Sequence, residues 1–179
     1  MDTHSLYPYV VPKEYLFNQN PPVKSLGHDT YEVLVTEAKS LIKNVTAQDL
    51  QAPGLTVGQA QRLALENLEN VFKAGGIKAQ LLPRGPMGKP FIIAGGHWAA
   101  AAVLLLPRFP DFAARTLGVA EVFLSIPHQG IVMVFPKGDE TYGREVRVFV
   151  KQNEGRDRKP ITFGLFTYRG TDLVPVAGD

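Results

Sequence analysis

Residues 119–135 read Val-Ala-Glu-Val-Phe-Leu-Ser-Ile-Pro-His-Gln-Gly-Ile-Val-Met-Val-Phe. Two apolar runs rich in β-branched and aromatic residues, 122–126 and 131–135, are separated by a Pro-His-Gln-Gly cluster at 127–130, which is typical of a hairpin turn. Both runs are almost continuously hydrophobic, and this pattern is typical of strands that are covered on both faces. The stretch therefore predicts a central β-hairpin around which the rest of the chain packs.

The length and composition of the chain predict one folded domain. It has 179 residues, of which 45% are hydrophobic, and this is enough to bury a core without disulfides or metal. The first 29 residues mix prolines with tyrosines, too broken for a long helix and too aromatic for a disordered tail. We expect a proline/aromatic-rich N-terminal arm over 1–29, packed on the surface or docked on a partner, and a single α+β domain over 30–179.

Composition also bears on the class of function. The chain has no cysteine, which excludes disulfides, thiolate nucleophiles and cysteine-ligated metal sites. Its net charge is only +2, with acidic and basic residues interspersed, so nucleic acid is not the expected partner. The longest apolar stretch, 94–106, is shorter than the roughly 20 residues of a membrane span. No basic segment precedes an apolar one at the start of the sequence, so we expect a cytoplasmic protein without a membrane partner.

The other secondary-structure elements are predicted from hydrophobic period and turn residues. Thr56 followed by Gln59 forms a capping box for a helix over 56–73. Segment 31–45 fits a helical stripe or two short strands, and its β-branched residues favour strands. Segment 141–153 also fits both periods, and its charge distribution favours a helix. The remaining predicted elements are hairpins pairing 77–82 with 91–94 and 161–168 with 173–176, and helices over 99–106 and 110–117.

Together these elements predict an α+β fold, a mostly antiparallel sheet built from hairpins with helices packed on it. Residues 121–129, followed by Ile-Val-Met-Val at 131–134, resemble the signature of the YtpQ-like bacterial proteins. Residues 160–162 and 173–176 are similar to that family's final hairpin, and the resemblance covers roughly the C-terminal two-thirds of the chain. It implies an α+β fold with a helix between the two C-terminal hairpins. It implies no reaction, because the family has no assigned activity.

Three residues are candidates for acid–base or nucleophilic chemistry. Ser125 and His128 lie close in sequence beside Gln129, and an imidazole deprotonates a hydroxyl within hydrogen-bond reach. The structural alternative is a turn histidine bonded to its own backbone. His97 follows Gly95-Gly96 ahead of a predicted helix, which suits an anion site or simple turn packing. The histidines show no metal-ligand spacing, so we expect no metal site and no cofactor.

Residues 83–90, Pro-Arg-Gly-Pro-Met-Gly-Lys-Pro, predict an exposed hairpin tip. Their glycines and lysine invite comparison with a phosphate-binding loop, but the motif fails. Pro90 stands where that loop needs a hydroxyl residue, and only two residues separate Gly85 from Gly88. We expect Arg84 and Lys89 to act in partner binding.

The favoured functional hypothesis is a cytosolic, non-enzymatic module that binds a protein partner, because loop tips commonly carry such function. It presents the turn at 127–130 and the tip at 83–90, so its candidate binding residues are Pro127, His128, Gln129, Gly130, Arg84 and Lys89. The alternative is a small hydrolase or transferase that uses His97 or His128 as acid–base. An imidazole in a concave pocket would favour the enzyme, and imidazoles packed flat or buried in turns would favour the module.

Overall fold

The computed structural model describes residues 2–16, 21–38, 41–155 and 160–178. Its strands are β1 (Leu6–Pro12), β2 (Val23–Gly27), β3 (Thr30–Ala38), β4 (Leu41–Asn44), β5 (Lys78–Leu82), β6 (Phe91–Gly95), β7 (Val122–His128), β8 (Ile131–Pro136), β9 (Leu165–Arg169) and β10 (Asp172–Pro175). Its α-helices are α1 (Ala47–Gln51), α2 (Val57–Lys73), α3 (Phe109–Leu117) and α4 (Glu140–Glu154). Four 3₁₀ helices are described as well, at Thr3–Ser5, Lys13–Leu16, Pro86–Gly88 and Ala100–Leu105. All described strand pairs are antiparallel, and the predicted α+β class is confirmed.

The predicted central hairpin is β7 paired with β8, in the middle of a six-stranded sheet of order β10-β9-β7-β8-β6-β5, called sheet 2 here. Leu124 and Val134 pack in one core with the Ala100–Leu105 helix and α3. Phe123 and Phe135 point to the other face and pack in a second core beneath α4. Because both faces are covered, neither strand has a polar face, and this explains the continuous hydrophobicity of its sequence.

A smaller sheet, called sheet 1, has the order β1-β3-β2, with β4 also paired to β3. The predicted strands of segment 31–45 are β3 and β4, separated by two residues outside the described part of the chain. Within the segment predicted as an N-terminal arm, β1 and β2 pair with β3 on its two sides. β1 accepts Pro8 and Pro12 because it lies at the sheet edge, where a missing backbone N–H is tolerated. Met1 and residues 17–20 of the expected arm lie outside the described residues.

The helices confirm most of the local predictions. Thr56 and Gln59 form the predicted capping box at the start of α2, and α2 packs on β1. Asp139 caps α4, so segment 141–153 is helical as favoured. α3 ends at Gly118, whose φ of +68° suits glycine. Within the described residues, no helix has the length and apolar character to cross a membrane.

The helix predicted over 99–106 is instead the 3₁₀ helix Ala100–Leu105. Ala100 N donates to His97 O, and Ala102 N donates to Ala99 O, so the backbone bonds close over three residues rather than four. Ala101 N donates outside the helix, to Gln129 O at 2.9 Å. The Gln129 carbonyl thus satisfies an amide in the first turn of this helix, where backbone N–H groups have no acceptor within the helix.

Candidate functional site

The turn at 127–130 is anchored on both sides. Pro127 is buried, and its carbonyl accepts a hydrogen bond from Ile161 N at 2.8 Å. Gln129 and Gly130 are half-buried, and the Gln129 carbonyl holds the amide of Ala101. The turn is thus enclosed by neighbouring segments, and it offers less free surface than an exposed loop tip would.

His128 is held at both ring nitrogens. Its Nε2 lies 3.2 Å from Glu154 Oε2, and Nε2–H donates to that carboxylate at the end of α4. Its Nδ1 accepts a hydrogen bond from Gly130 N at 3.3 Å. The ring therefore pins the turn to α4, and in this arrangement neither nitrogen is free to take a proton from a substrate.

Ser125 does not pair with His128. A bulge in β7 separates the two residues, and Ser125 is 0% exposed. It stands opposite Met133 in β8 and Leu165 in β9, both of which belong to the core beneath α4. Its Oγ has no hydrogen-bond partner among the residues that the structure describes. Ser125 is therefore a core residue without access for a substrate.

His97 packs between aromatic rings rather than facing a cleft. Its ring centroid lies 5.1 Å from that of Trp98 and 6.2 Å from that of Tyr7 on β1. Its Nδ1 accepts a hydrogen bond from Ala99 N at 3.1 Å, which is turn packing ahead of the 3₁₀ helix. Burial lowers the pKa of His97, against a smaller opposing effect of Glu37. Neither His97 nor His128 lines the cavities described below.

The tip at 83–90 is a compact projection from sheet 2. Gly85 N donates to Lys89 O at 2.7 Å and closes the loop over the buried Pro86. Met87 takes a φ of +51° and is 68% exposed. Arg84 is exposed, and Lys89 Nζ lies 4.1 Å from the centre of the Tyr142 ring. The two candidate binding residues of this tip are therefore both accessible.

The strand that leads into the tip is a free edge. In the described part of the chain β5 pairs with β6 alone and is the last strand of sheet 2. Leu81 on this strand is 50% exposed. Beside it runs an open groove of about 280 Å³, lined by Lys78, Gln80, Ile93 and Ile131 among others. We call residues 78–90, with this groove, the β5–tip surface.

The opposite edge strand of sheet 2, β10, is partly covered by sheet 1. β10 lies against β2 of sheet 1. Gly27 packs so closely on Pro175 that an added Cβ would lie 2.7 Å from its Cγ. Of the two edge strands of sheet 2, β5 is therefore the more accessible one.

Sequence reasoning missed a cavity of about 300 Å³ between the two sheets, α2 and the Ala100–Leu105 helix. Glu32 of β3 lines it and is only 6% exposed. Burial raises the pKa of this carboxyl, and the charge of Lys24 opposes that effect. The available signal was a charged residue inside an apolar strand, Tyr-Glu-Val-Leu-Val at 31–35.

A second missed cavity, of about 530 Å³, brings together His28, Arg147 and Lys151. The Nε of Arg147 is buried and has no hydrogen-bond partner in the described part of the chain, while Nη2 of the same side chain donates to Ala177 O at 3.5 Å. The exposed Asp29 carboxylate shares the cavity and opposes the basic groups. Among the residues that the structure describes, no three histidine or carboxylate side chains are grouped to hold a metal ion.

Comparisons with known proteins returned no match to a family model, to a curated protein or to a solved structure. The YtpQ-like resemblance therefore stays a prediction. Among the described residues, the β5–tip surface and the Glu32 cavity are the two features that bear most directly on function.

Proposed function

We propose that the protein is a non-enzymatic binding module that docks an extended, acidic segment of a partner protein on its β5–tip surface. The observation that carries the proposal is the unpaired outer edge of β5, which runs directly into an exposed tip. An edge strand presents a row of backbone donors and acceptors, and an incoming strand satisfies them by extending the sheet. The neighbouring groove supplies apolar contacts for alternate side chains of that strand.

Charge favours an acidic partner. The β5–tip surface carries Lys78, Arg84 and Lys89, and the sequence has no Asp or Glu between Glu69 and Asp111. None of the three cations takes part in an ion pair with another described residue. A partner segment with carboxylates would therefore meet cations that no described carboxylate neutralises, although the Lys89 ammonium already lies over the Tyr142 ring. This charge complementarity speeds association and sets specificity.

Exposed apolar groups add to this surface. Leu81 and Met87 are large side chains that remain mostly in solvent, one on the edge strand and one on the tip. Aliphatic and methionine side chains at such positions gain free energy when a partner covers them. The preferred ligand is therefore a strand in which acidic and apolar residues alternate.

The acid–base alternative draws on one observation, the carboxylate of Glu154 beside His128. A carboxylate that orients an imidazole is part of many hydrolytic sites. Here the other ring nitrogen is occupied by the Gly130 amide, and Ser125 lies in the core. His97 is packed among aromatic rings. The geometry therefore favours the binding module over a hydrolase or transferase.

The proposal is tested by selecting binders from a displayed library of random short peptides against the wild-type protein. We expect enriched peptides that alternate acidic and apolar residues. The double variant Arg84→Glu with Lys89→Glu should bind these peptides about tenfold or more weakly, because it replaces two charge attractions with repulsions. The variant Arg115→Glu is the matched control, since Arg115 is exposed on α3 away from this surface.

Binding constants are measured by fluorescence anisotropy of the labelled peptides. If the selected peptides bind the charge-reversed tip as tightly as the wild type, the β5–tip surface is not the docking site. A selection that enriches no acidic sequence contradicts the proposed partner chemistry.

A further inference from the structure

The cavity around Glu32 is independent of the β5–tip surface. It is enclosed by β2, β3, α2, the Ala100–Leu105 helix and the turn between β9 and β10. Its volume of about 300 Å³ lies at the small end of the range for ligand pockets. Leucine side chains from four different elements supply apolar walls, namely Leu26, Leu65, Leu104, Leu105 and Leu173. The site is thus shaped for a small molecule with an apolar body.

Glu32 is the buried charged group of this cavity. Its side chain is almost completely buried, yet it makes no hydrogen bond or ion pair with any other described residue. Lys24 stands directly across the β2–β3 pair, but its ammonium group lies beyond ion-pair distance and the side chain is exposed. A buried carboxylate without a partner is costly, and a cation that enters the cavity would remove that cost.

The remaining polar groups of the cavity favour a cation with several N–H donors. Ser25 and Gln61 also line it, and each offers an oxygen acceptor that no other described side chain or backbone group occupies. The charged lining residues are Lys24, Glu32 and Asp172, so the cavity carries one net negative charge. A primary ammonium group has three donors and a positive charge, and therefore matches this set of acceptors.

We propose that this cavity is a binding site for a small primary amine, whose ammonium group pairs with Glu32 and whose apolar body lies among the leucines. The site uses none of the residues of the β5–tip surface, so its function stands or falls separately from partner binding. Lys24 opposes the ligand by charge, since it competes for the same carboxylate.

The test uses amide chemical shifts of the ¹⁵N-labelled protein during titration with benzylamine, and with benzyl alcohol as the neutral molecule of similar shape. We expect saturable benzylamine shifts at Leu26, Glu32 and Leu104, and much weaker effects of benzyl alcohol. Glu32→Gln should weaken the affinity for benzylamine by about tenfold or more, because a hydrogen-bonded charge pair is lost. Lys24→Met should strengthen benzylamine binding, because it removes the competing positive charge. General damage to the fold would not produce tighter binding.

Glu66→Gln is the matched control, because Glu66 is exposed on α2 and does not line the cavity. It should leave the affinity unchanged. Three results would each overturn the proposal: no saturable shift with benzylamine, equal binding of the amine and the alcohol, or unchanged affinity in Glu32→Gln.

Discussion

Glu32 illustrates how one buried group links stability to a proposed site. Burial raises the pKa of its carboxyl above the usual range, and Lys24 opposes the shift. In the unfolded chain the same carboxyl has an ordinary pKa, so the ionised side chain disfavours folding. The contribution of Glu32 to stability is therefore fully present below the unfolded pKa and is lost as the pH rises through the folded pKa.

The substitution Glu32→Gln should stabilise the protein at pH 7, because it replaces a buried carboxylate by a neutral group of the same shape. We expect a gain of about 1 kcal/mol, or roughly 2–4 °C in Tm for a chain of this size. The gain should shrink as the pH is lowered to about 4, where Glu32 is protonated. Thermal unfolding followed by circular dichroism between these pH values checks this, with Glu66→Gln as control. A lower Tm for Glu32→Gln at pH 7 would mean that the carboxylate is held by a stabilising contact.

At the scale of single residues, the sequence shows which groups exist and not which groups meet. Ser125 and His128 are near neighbours in sequence, but the bulge in β7 separates them and leaves Ser125 in the core. The actual partner of His128 is Glu154, 26 residues away at the end of α4. Glu32 was visible as a charge in an apolar run. Its burial depends on elements far along the chain, which pack over β3.

Secondary-structure elements with local signals are the ones that sequence predicted best. α2 has its capping box, α3 has its terminal glycine, and β7 and β8 flank a turn cluster. The sequence predicts a helix over 99–106, but it carries no local signal that distinguishes an α-helix from the 3₁₀ helix formed at Ala100–Leu105. The status of β5 as an edge is also non-local, since strand order is set by long-range pairing.

The capping box of α2 gives a prediction at the scale of one element. Thr56 Oγ1 accepts a hydrogen bond from Gln59 N, and Gln59 Oε1 accepts one from Thr56 N. Thr56→Ala removes the hydroxyl that caps the helix and should cost about 1 kcal/mol of unfolding free energy. Urea denaturation measures this cost. Thr116→Ala is the control, because Thr116 is an exposed residue of α3. This substitution should cost little or no unfolding free energy, because alanine is the better helix former there. Equal losses in the two variants would argue against a stabilising cap.

At the scale of the whole molecule, the two sheets form one packed unit. Their junction includes the contact of β2 with β10, and also Trp98, which packs against Tyr7 and Tyr9 of β1. No local pattern predicts this junction, because the prolines in residues 1–29 indicate an arm rather than an edge strand. Pairing with β3 cannot be read from the local pattern of β1, since the paired residues lie 18 to 30 positions further along the chain, from Pro12↔Thr30 to Leu6↔Thr36.

Glycine substitutions test this junction. Gly27→Ala combines a φ of +97° with a Cβ only 2.7 Å from Pro175 Cγ, so it should destabilise the protein by roughly 2–4 kcal/mol. Gly54→Ala is the matched control, because its φ is +68° and its surroundings are open. It should cost about 1 kcal/mol from backbone strain alone. The two costs are compared by urea unfolding, monitored through the fluorescence of Trp98, the single tryptophan. Equal costs would contradict the close approach of β2 to β10.

The central claim is that a partner segment adds to the outer edge of β5. The most direct measurement is amide hydrogen exchange of the protein with and without a selected acidic peptide. An added strand should slow exchange in Lys78–Leu82, because outward amides of the edge gain hydrogen bonds. Amide hydrogen exchange in β10, at the opposite edge of sheet 2, should stay unchanged. If the peptide binds and the amides of β5 exchange at their free rates, docking by strand addition is contradicted.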